Sequence, residues 1–432
     1  MKRIVFGAFL ILTAVAILPG LGRWAAAPSE VVLASDDTHP PTTPVPRTFF
    51  GMHRHAYPNK HEPWPDIPFG SFRMWDSATG WAQINTANGK YDWSQVDRWF
   101  SELKEHDVDD ILYTFGRVPE FASSQPNLDC NNGPGQCAPP KDLKSDGTGS
   151  DQYWKDFVTA IVTHSKNNRG IHIKYWELWN EPYLPRYWSG TFPQLLRMAR
   201  DAKEIIHSID PDAVFLSPDS GLVYPKYRQF MEDWLAAGGG EYADGIAFHG
   251  YTQRGPATDF IQYYREFRKI LAKYHQDTKP TYDTEASWGN VKKGKGYADE
   301  DSQAAFVAQF YLVHWSEGVQ RLYWYAWNDG ATGMLYDRES KRSTQGARAY
   351  REVFNWMVGS TMTRGCSPDG SVWTCTLTKA DGKEALVVWN ESGEKNYSPK
   401  GAFKKFRDVA GNSNPISGPL KIGPKPLFLE SQ

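Results

Sequence analysis

Eight short apolar runs, separated by longer segments of mostly helical pattern, constrain the fold of this chain more than any other feature. They are Phe49 to Ala56, Ser71 to Asp76, Asp110 to Gly116, Tyr175 to Pro182, Ala213 to Asp219, Gly245 to Tyr251, Thr281 to Trp288 and Arg321 to Trp327. Runs of this length suit strands buried on both faces, as in a parallel sheet covered by helices. Between them, Trp93 to Glu105 carries Trp93, Val96, Trp99, Phe100 and Leu103 at helical spacing. Tyr153 to Ser165, Phe192 to Ser208, Phe260 to His275, Ser302 to Trp315 and Ala347 to Val358 read as further amphipathic helices. Asp210-Pro211 and Gly318 mark two helix C-termini. The segment between the first two strands holds Pro58, Pro63, Pro65 and Pro68 and reads as a loop. The alternation predicts an α/β fold, a (β/α)8 TIM barrel, rather than an open doubly wound sheet. No glycine-rich phosphate loop follows any strand, which argues against nucleotide binding.

The pattern changes at about Gly359. Ser371 to Lys379 and Glu384 to Asn390 read as hairpin strands around Asp381-Gly382. This predicts a catalytic barrel over 47–358 and a small β-sandwich-like domain over 359–432 that caps it. At the other end, Lys2 and Arg3 precede an apolar run from Ile4 to Leu18, broken by Pro19-Gly20. Residues 1–27 therefore read as a signal peptide or an uncleaved anchor, followed by a Pro/Thr-rich linker over 28–46. Ala25-Ala26-Ala27 offers the small residues of a cleavage site but is followed by Pro28; Val32-Leu33-Ala34 is the alternative. The expected location is secreted, periplasmic or cell-envelope, with membrane contact only if the anchor persists.

Four cysteines in an exported chain imply disulfides. Pairing Cys130 with Cys137 and Cys366 with Cys375 is the simplest of three connectivities. A zinc site is the competing reading, but the close Cys or His spacing it needs is missing. The chain has 432 residues, 40% of them hydrophobic, enough for a large core. Its net charge of −2 leaves no basic surface for nucleic acid. Eighteen Trp exceed what packing requires, and their flat faces also suit sugar rings.

Barrel enzymes take their reactive groups from the C-terminal ends of the strands. The fourth run ends in Asn180-Glu181-Pro182, where Pro182 stops the ladder, and the seventh offers Asp283 and Glu285. Strands four and seven lie nearly opposite in an eight-stranded ring, so two carboxylates can face each other across the mouth. Retaining glycoside hydrolysis needs such a pair roughly 5–5.5 Å apart, and inverting hydrolysis a pair roughly 6.5–9.5 Å apart.

Asn180-Glu181 on strand four with Glu285 near the end of strand seven resembles the clan A retaining (β/α)8 glycoside hydrolases, over about Phe49 to Met357. The layout is most similar to family 39, with family 5 endoglycanases as the competing relatives. The resemblance implies that Glu181 is the acid/base and Glu285 the nucleophile, with Asn180 on the sugar 2-hydroxyl. It also matches Arg73, His249, Tyr251 and Trp327. Arg73 would hold Glu285 ionised by charge pairing, and Tyr251 would orient it. His249 would support Glu181 or contact the sugar, unless it is a core histidine, and Arg73 has the alternative of bridging loops. Trp327 is either a stacking floor or packing. An apolar wall, Trp179 or Tyr183, would raise the pKa of Glu181 so that it starts protonated.

Asp283 shares strand parity with Glu285 and is the alternative nucleophile, one layer deeper. Glu177, below Glu181, reads as an interior carboxylate that needs a partner. His53 and His55 end strand one and either line the pocket or face a loop. The expected partner is a carbohydrate; no cofactor or metal is required. A non-catalytic glycan-binding protein on a degenerate barrel is the alternative function.

Overall fold

The computed structural model describes residues 39–55, 63–253, 255–288, 299–329 and 332–431. The expected signal or anchor segment and most of the linker lie outside them. No helix among the described residues is long and apolar enough to cross a membrane.

Eight parallel strands form one sheet: β1 (Phe50–Met52), β2 (Ser71–Met74), β3 (Asp110–Thr114), β4 (Tyr175–Glu177), β5 (Val214–Leu216), β6 (Ile246–Phe248), β7 (Thr281–Ala286) and β8 (Arg321–Trp324). Their order is β5-β4-β3-β2-β1-β8-β7-β6, and a parallel bridge between Leu216 and Gly245 brings β5 against β6, closing the ring. Most strands are shorter than the apolar runs suggested. The run ends instead form the loops at the C-terminal rim. Inside the ring, Leu112, Leu216, Ala247, Tyr282 and Tyr323 pack with Tyr175 and Val214. Beside this cluster, Arg321 makes a paired contact with Asp110 at 2.9 and 2.8 Å.

The outer layer is α1 (Ser94–Glu105), α2 (Gln152–Lys166), α3 (Phe192–Ile209), α4 (Pro225–Ala236), α5 (Asp259–Lys273), α6 (Glu300–Ser316) and α7 (Gln345–Met357). α3 opens on a capping box in which Thr191 and Gln194 satisfy each other's backbone N–H. α4 was not anticipated, although Pro225 at its first turn and buried Met231, Trp234 and Leu235 follow helical rules. Residues 63–70, before β2, hold no helix, in line with their prolines.

α6 departs from the amphipathic expectation: every residue from Gln303 to Ser316 is buried. A helix apolar all round must be covered all round. Its outer face meets the C-terminal strands, where Gln309 donates to the Pro424 carbonyl at 2.6 Å and Ser316 accepts from the Cys366 N–H at 2.8 Å.

Those strands are β9 (Thr361–Asp369), β10 (Val372–Thr378), β11 (Glu384–Asn390), β12 (Lys395–Tyr397), β13 (Lys405–Asp408), β14 (Ser413–Pro415), β15 (Leu420–Ile422) and β16 (Leu427–Glu430). Six make an antiparallel sheet in the order β9-β10-β11-β16-β13-β14, and β12 pairs with β15. Val372, Val388, Leu427 and Leu429 of the large sheet share a core with Leu420 and Ile422 of the small one, which makes the region sandwich-like. Both local disulfides are formed, Cys130–Cys137 and Cys366–Cys375.

Candidate active site

The ladder of β4 ends at Glu177, and the chain then bends so that Asn180 and Glu181 sit on the rim. Glu181 has a left-handed backbone, φ 46°, uncommon for a residue with a side chain. Asp219, beyond β5, holds that conformation by accepting the Glu181 N–H at 3.0 Å. The Glu181 carboxylate accepts from the Tyr183 hydroxyl at 2.7 Å and lies 3.2 Å from Nδ1 of His249, which follows β6.

Glu285 reaches the same space by an irregularity in β7. Leu322 pairs with Asp283, but Trp324 pairs with Ala286, so β7 carries one extra residue. A bulge of this kind re-aims a side chain. Thr284 faces the barrel interior, where its hydroxyl donates to Glu177 at 2.6 Å. Asp283 points instead to the helix layer, where it accepts from the Gly250 N–H at 3.0 Å and pairs with His314 of α6 at 2.8 Å. A Cβ at position 250 would overlap that carboxylate, so the approach requires glycine. The parity that made Asp283 an alternative nucleophile is therefore broken by the bulge, and Asp283 is structural.

Arg73 joins the two halves of the site. Its Nη1 donates to Glu285 at 2.9 Å, its Nη2 to Asn180 Oδ1 at 2.8 Å and its Nε to Glu177 at 2.9 Å. Tyr251 donates to the other Glu285 oxygen at 2.9 Å. Glu177, fully buried, also accepts from Thr114 at 2.6 Å, so it has the partners that a buried carboxylate needs. One oxygen of Glu181, one of Glu285 and a ring nitrogen of His249 lie within 4.8 Å of one another.

The charges depart from the sequence-based expectation. Burial is the largest influence on Glu285 and raises it to about 7, against the pull of His249 and Arg73. The negative charges of Glu181 and Asp76 add to burial, while Arg73 also pairs with Glu177, 2.7 Å away. Glu181 moves the other way: burial pushes it up, but hydrogen bonds from His249 and Tyr183 hold it below the usual carboxylate value. The expected apolar wall is thus a wall of donors, and Trp179 turns away to pack on Trp154 and Trp188. Burial would lower His249, yet Asp219, Glu285 and Glu181 lift it to about 10.

No family model and no curated protein matches the chain. Solved structures do. A family 39 glycoside hydrolase from the gut symbiont Bacteroides cellulosilyticus WH2 superposes with a TM-score of 0.63 at 19% identity, covering 84% of this chain and 76% of that one. A monomeric β-xylosidase from Caulobacter crescentus CB15 gives 0.61 at 14% identity, covering 90% and 97%. A glucosidase from Croceicoccus marinus gives 0.59 at 16%, covering 90% and 84%. The chain shares its fold with these glycosidases.

The cleft above the carboxylates, about 390 Å³, is lined by Glu181, Tyr183, Tyr187, Tyr227, His249, Tyr251, Gln253, Glu285, Trp288 and Tyr325, among others. Of the residues anticipated here, Glu181, Glu285, His249 and Tyr251 line it, and Asn180 and Arg73 lie directly behind. Trp327 does not reach it: it is fully buried and stacks on Tyr336, and Tyr325 takes its place in the cleft. The peptide bond after Tyr325 is cis. His53 sits below, its Nε2 donating to the Thr284 carbonyl at 2.9 Å, and burial together with Arg73 keeps it neutral. His55 lies to one side, with a ring nitrogen 3.6 Å from Asp76, a carboxylate that Arg117 and Tyr325 also hold.

Among the described residues, two donor triplets, Glu177–Asp219–His249 and Glu181–His249–Glu285, are close enough for a metal ion. Arg73 and the surrounding hydroxyls supply countercharge and donors to the oxygens of Glu177, Glu181 and Glu285, whereas Asp219, among the same residues, accepts only the Glu181 N–H. Sequence reasoning missed Asp219, Tyr187, Tyr227 and Tyr325. The only local signal for Asp219 was a carboxylate next to Pro218 at the end of the fifth run.

Proposed function

We propose that the chain is a retaining glycoside hydrolase, cleaving O-glycosidic bonds of an extracytoplasmic oligosaccharide or polysaccharide through a glycosyl-enzyme. The separation of the carboxylates carries this reading. With one oxygen of each within 4.8 Å, the pair fits the roughly 5–5.5 Å spacing of retaining enzymes better than the roughly 6.5–9.5 Å of inverting ones. The tyrosines and Trp288 around the cleft suit sugar faces and hydroxyls. The two disulfides and the apolar N-terminal segment favour action outside the cytoplasm.

Glu285 is the nucleophile. Arg73 and Tyr251 fix one oxygen each, leaving a lone pair directed into the cleft. Glu181, nearer the rim, protonates the leaving oxygen as Glu285 attacks the anomeric carbon. Once the glycosyl-enzyme has formed, Glu285 carries no charge and Glu181 acts as base towards water. Two carboxylates this close do not both ionise readily, so ionisation of Glu285 itself favours a proton on Glu181. Asn180, held by Arg73, is placed for the sugar 2-hydroxyl. The scheme draws on no metal, and turnover is expected to survive EDTA.

Chemical rescue tests this. Glu285→Ala should be inactive and, with azide, release a glycosyl azide of inverted anomeric configuration. Glu181→Ala should regain activity with azide on activated aryl glycosides. Full activity in Glu285→Gln would sink the assignment. Binding of a glycan without release of product by the wild type would favour a lectin-like role instead.

A further inference from the structure

Asp219 has no part in the scheme above, yet it touches both the acid/base and its histidine partner. Its Oδ2 accepts the Glu181 N–H at 3.0 Å and lies 3.4 Å from Nε2 of His249, whose Nδ1 faces Glu181 at 3.2 Å. Asp219 is wholly buried, and among the described residues neither its Oδ1 nor Nε2 of His249 has a hydrogen-bond partner; burial drives the Asp219 carboxyl well above the usual carboxylate value, against the pull of His249 beside it. A buried carboxylate so placed needs a reason. The charged and titratable groups around the pair are Glu177 and Glu181 from β4 and its rim, Glu285 from β7, Arg73 from β2, His53 beyond β1, and the Tyr183 and Tyr251 hydroxyls.

We propose that Asp219 is a positioning residue that makes His249 the proton store for Glu181. Its carboxylate faces the Nε2 side of the ring at 3.4 Å, an ion-pair distance rather than a formed hydrogen bond, so the proton of His249 that faces Glu181 is the one on Nδ1. Shifting that proton across the 3.2 Å contact turns a His249 cation and Glu181 anion into neutral His249 and protonated Glu181. The Nε2–H stays on the ring, facing Asp219, and total charge is conserved. Protonated Glu181 then gives its proton to the glycosidic oxygen as the C–O bond breaks and regains one from water in the second step. The logic matches a histidine oriented by a buried carboxylate in other hydrolases, applied here to an acid. It accounts for a general acid surrounded by hydrogen-bond donors. The proton does not need to rest on Glu181, because its neighbour holds it.

The proposal rests on the retaining reading of Glu181, and two measurements separate the two. The first needs no turnover: histidine ring 15N NMR on the full chain against pH, with His249 assigned by its loss in His249→Gln. His249 should stay charged well above the ordinary histidine range in the wild type and titrate at or below it in Asp219→Asn. That variant retains an oxygen for the Glu181 N–H. Ordinary titration in both proteins would overturn the proposal whatever the activity.

The second is kinetic. Asp219→Asn should lower kcat on glycosides with poor leaving groups by about tenfold or more, a share of what a general acid supplies. Its basic limb should move to lower pH, while activated aryl glycosides, which need little protonation, hardly change. Equal losses on both substrate classes would mean a merely structural role and would refute the proton store.

Discussion

At Glu285, activity and stability pull in opposite directions. Its folded pKa, about 7, stands above the ordinary 4.5, so the folded state holds a proton that the unfolded chain has released between those values. Stability from this group is present at low pH and is lost as pH rises through that window. Glu285→Gln is therefore expected to abolish turnover yet raise stability above pH 7, by on the order of 3 kcal/mol. Denaturant titrations at pH 5 and pH 8 check this: the gain should appear only at the higher pH. The same value sets the acid limb of kcat/KM near pH 7, since attack needs the ionised form. An acid limb near pH 4.5 would show that substrate-free burial does not govern the nucleophile. Arg73→Lys keeps a charge but loses the fork that reaches Glu285, Asn180 and Glu177 together, so a fall in kcat of about a hundredfold or more is expected.

At the scale of elements, rim loops matter more than strands. The loop between β3 and α2 carries the Cys130–Cys137 bridge and braces the segment after Glu181. Asn131 donates to the Arg186 carbonyl at 2.9 Å and to the Tyr187 hydroxyl at 2.6 Å, and the Cys137 carbonyl accepts from Ser189 N–H at 2.9 Å. Replacing both cysteines with serine should cost about 2 kcal/mol and raise KM more than it lowers kcat, because Tyr183 and Tyr187 belong to the braced segment. Equal KM would show that the bridge serves stability alone.

The same scale explains what the sequence disclosed. Strand positions were legible because parallel strands buried on both faces are short and apolar, and Asn180-Glu181-Pro182 stood out because a proline must end such a run. Three features were not legible. The β7 bulge is invisible because parity counting assumes an unbroken ladder; it turned Glu285 into the cleft and left Asp283 in the helix layer. Trp327 and Tyr325 differ only in which way the chain turns after β8. The total burial of α6 depends on strands that begin 45 residues beyond its end.

That last contact defines the whole molecule. The barrel presents α6 and α7 to the C-terminal sheets, where Trp356 stacks on Phe428 at 5.3 Å and Gln309 reaches Pro424. A chain ending at Met357 would leave the apolar outer face of α6 in water. It should express insoluble or bind hydrophobic dyes without cooperative unfolding; a soluble, cooperatively melting barrel would show that the cap is dispensable. Within the intact chain, the central claim is a covalent bond between a sugar and one carboxylate across the cleft. A panel of 2-deoxy-2-fluoro glycosides with activated leaving groups, followed by mapping of the labelled peptide, tests it most directly. The expected result is one glycosyl unit on Glu285, absent from Glu285→Gln. A label on Glu181 or Asp283, or turnover with inversion and no label, would contradict it.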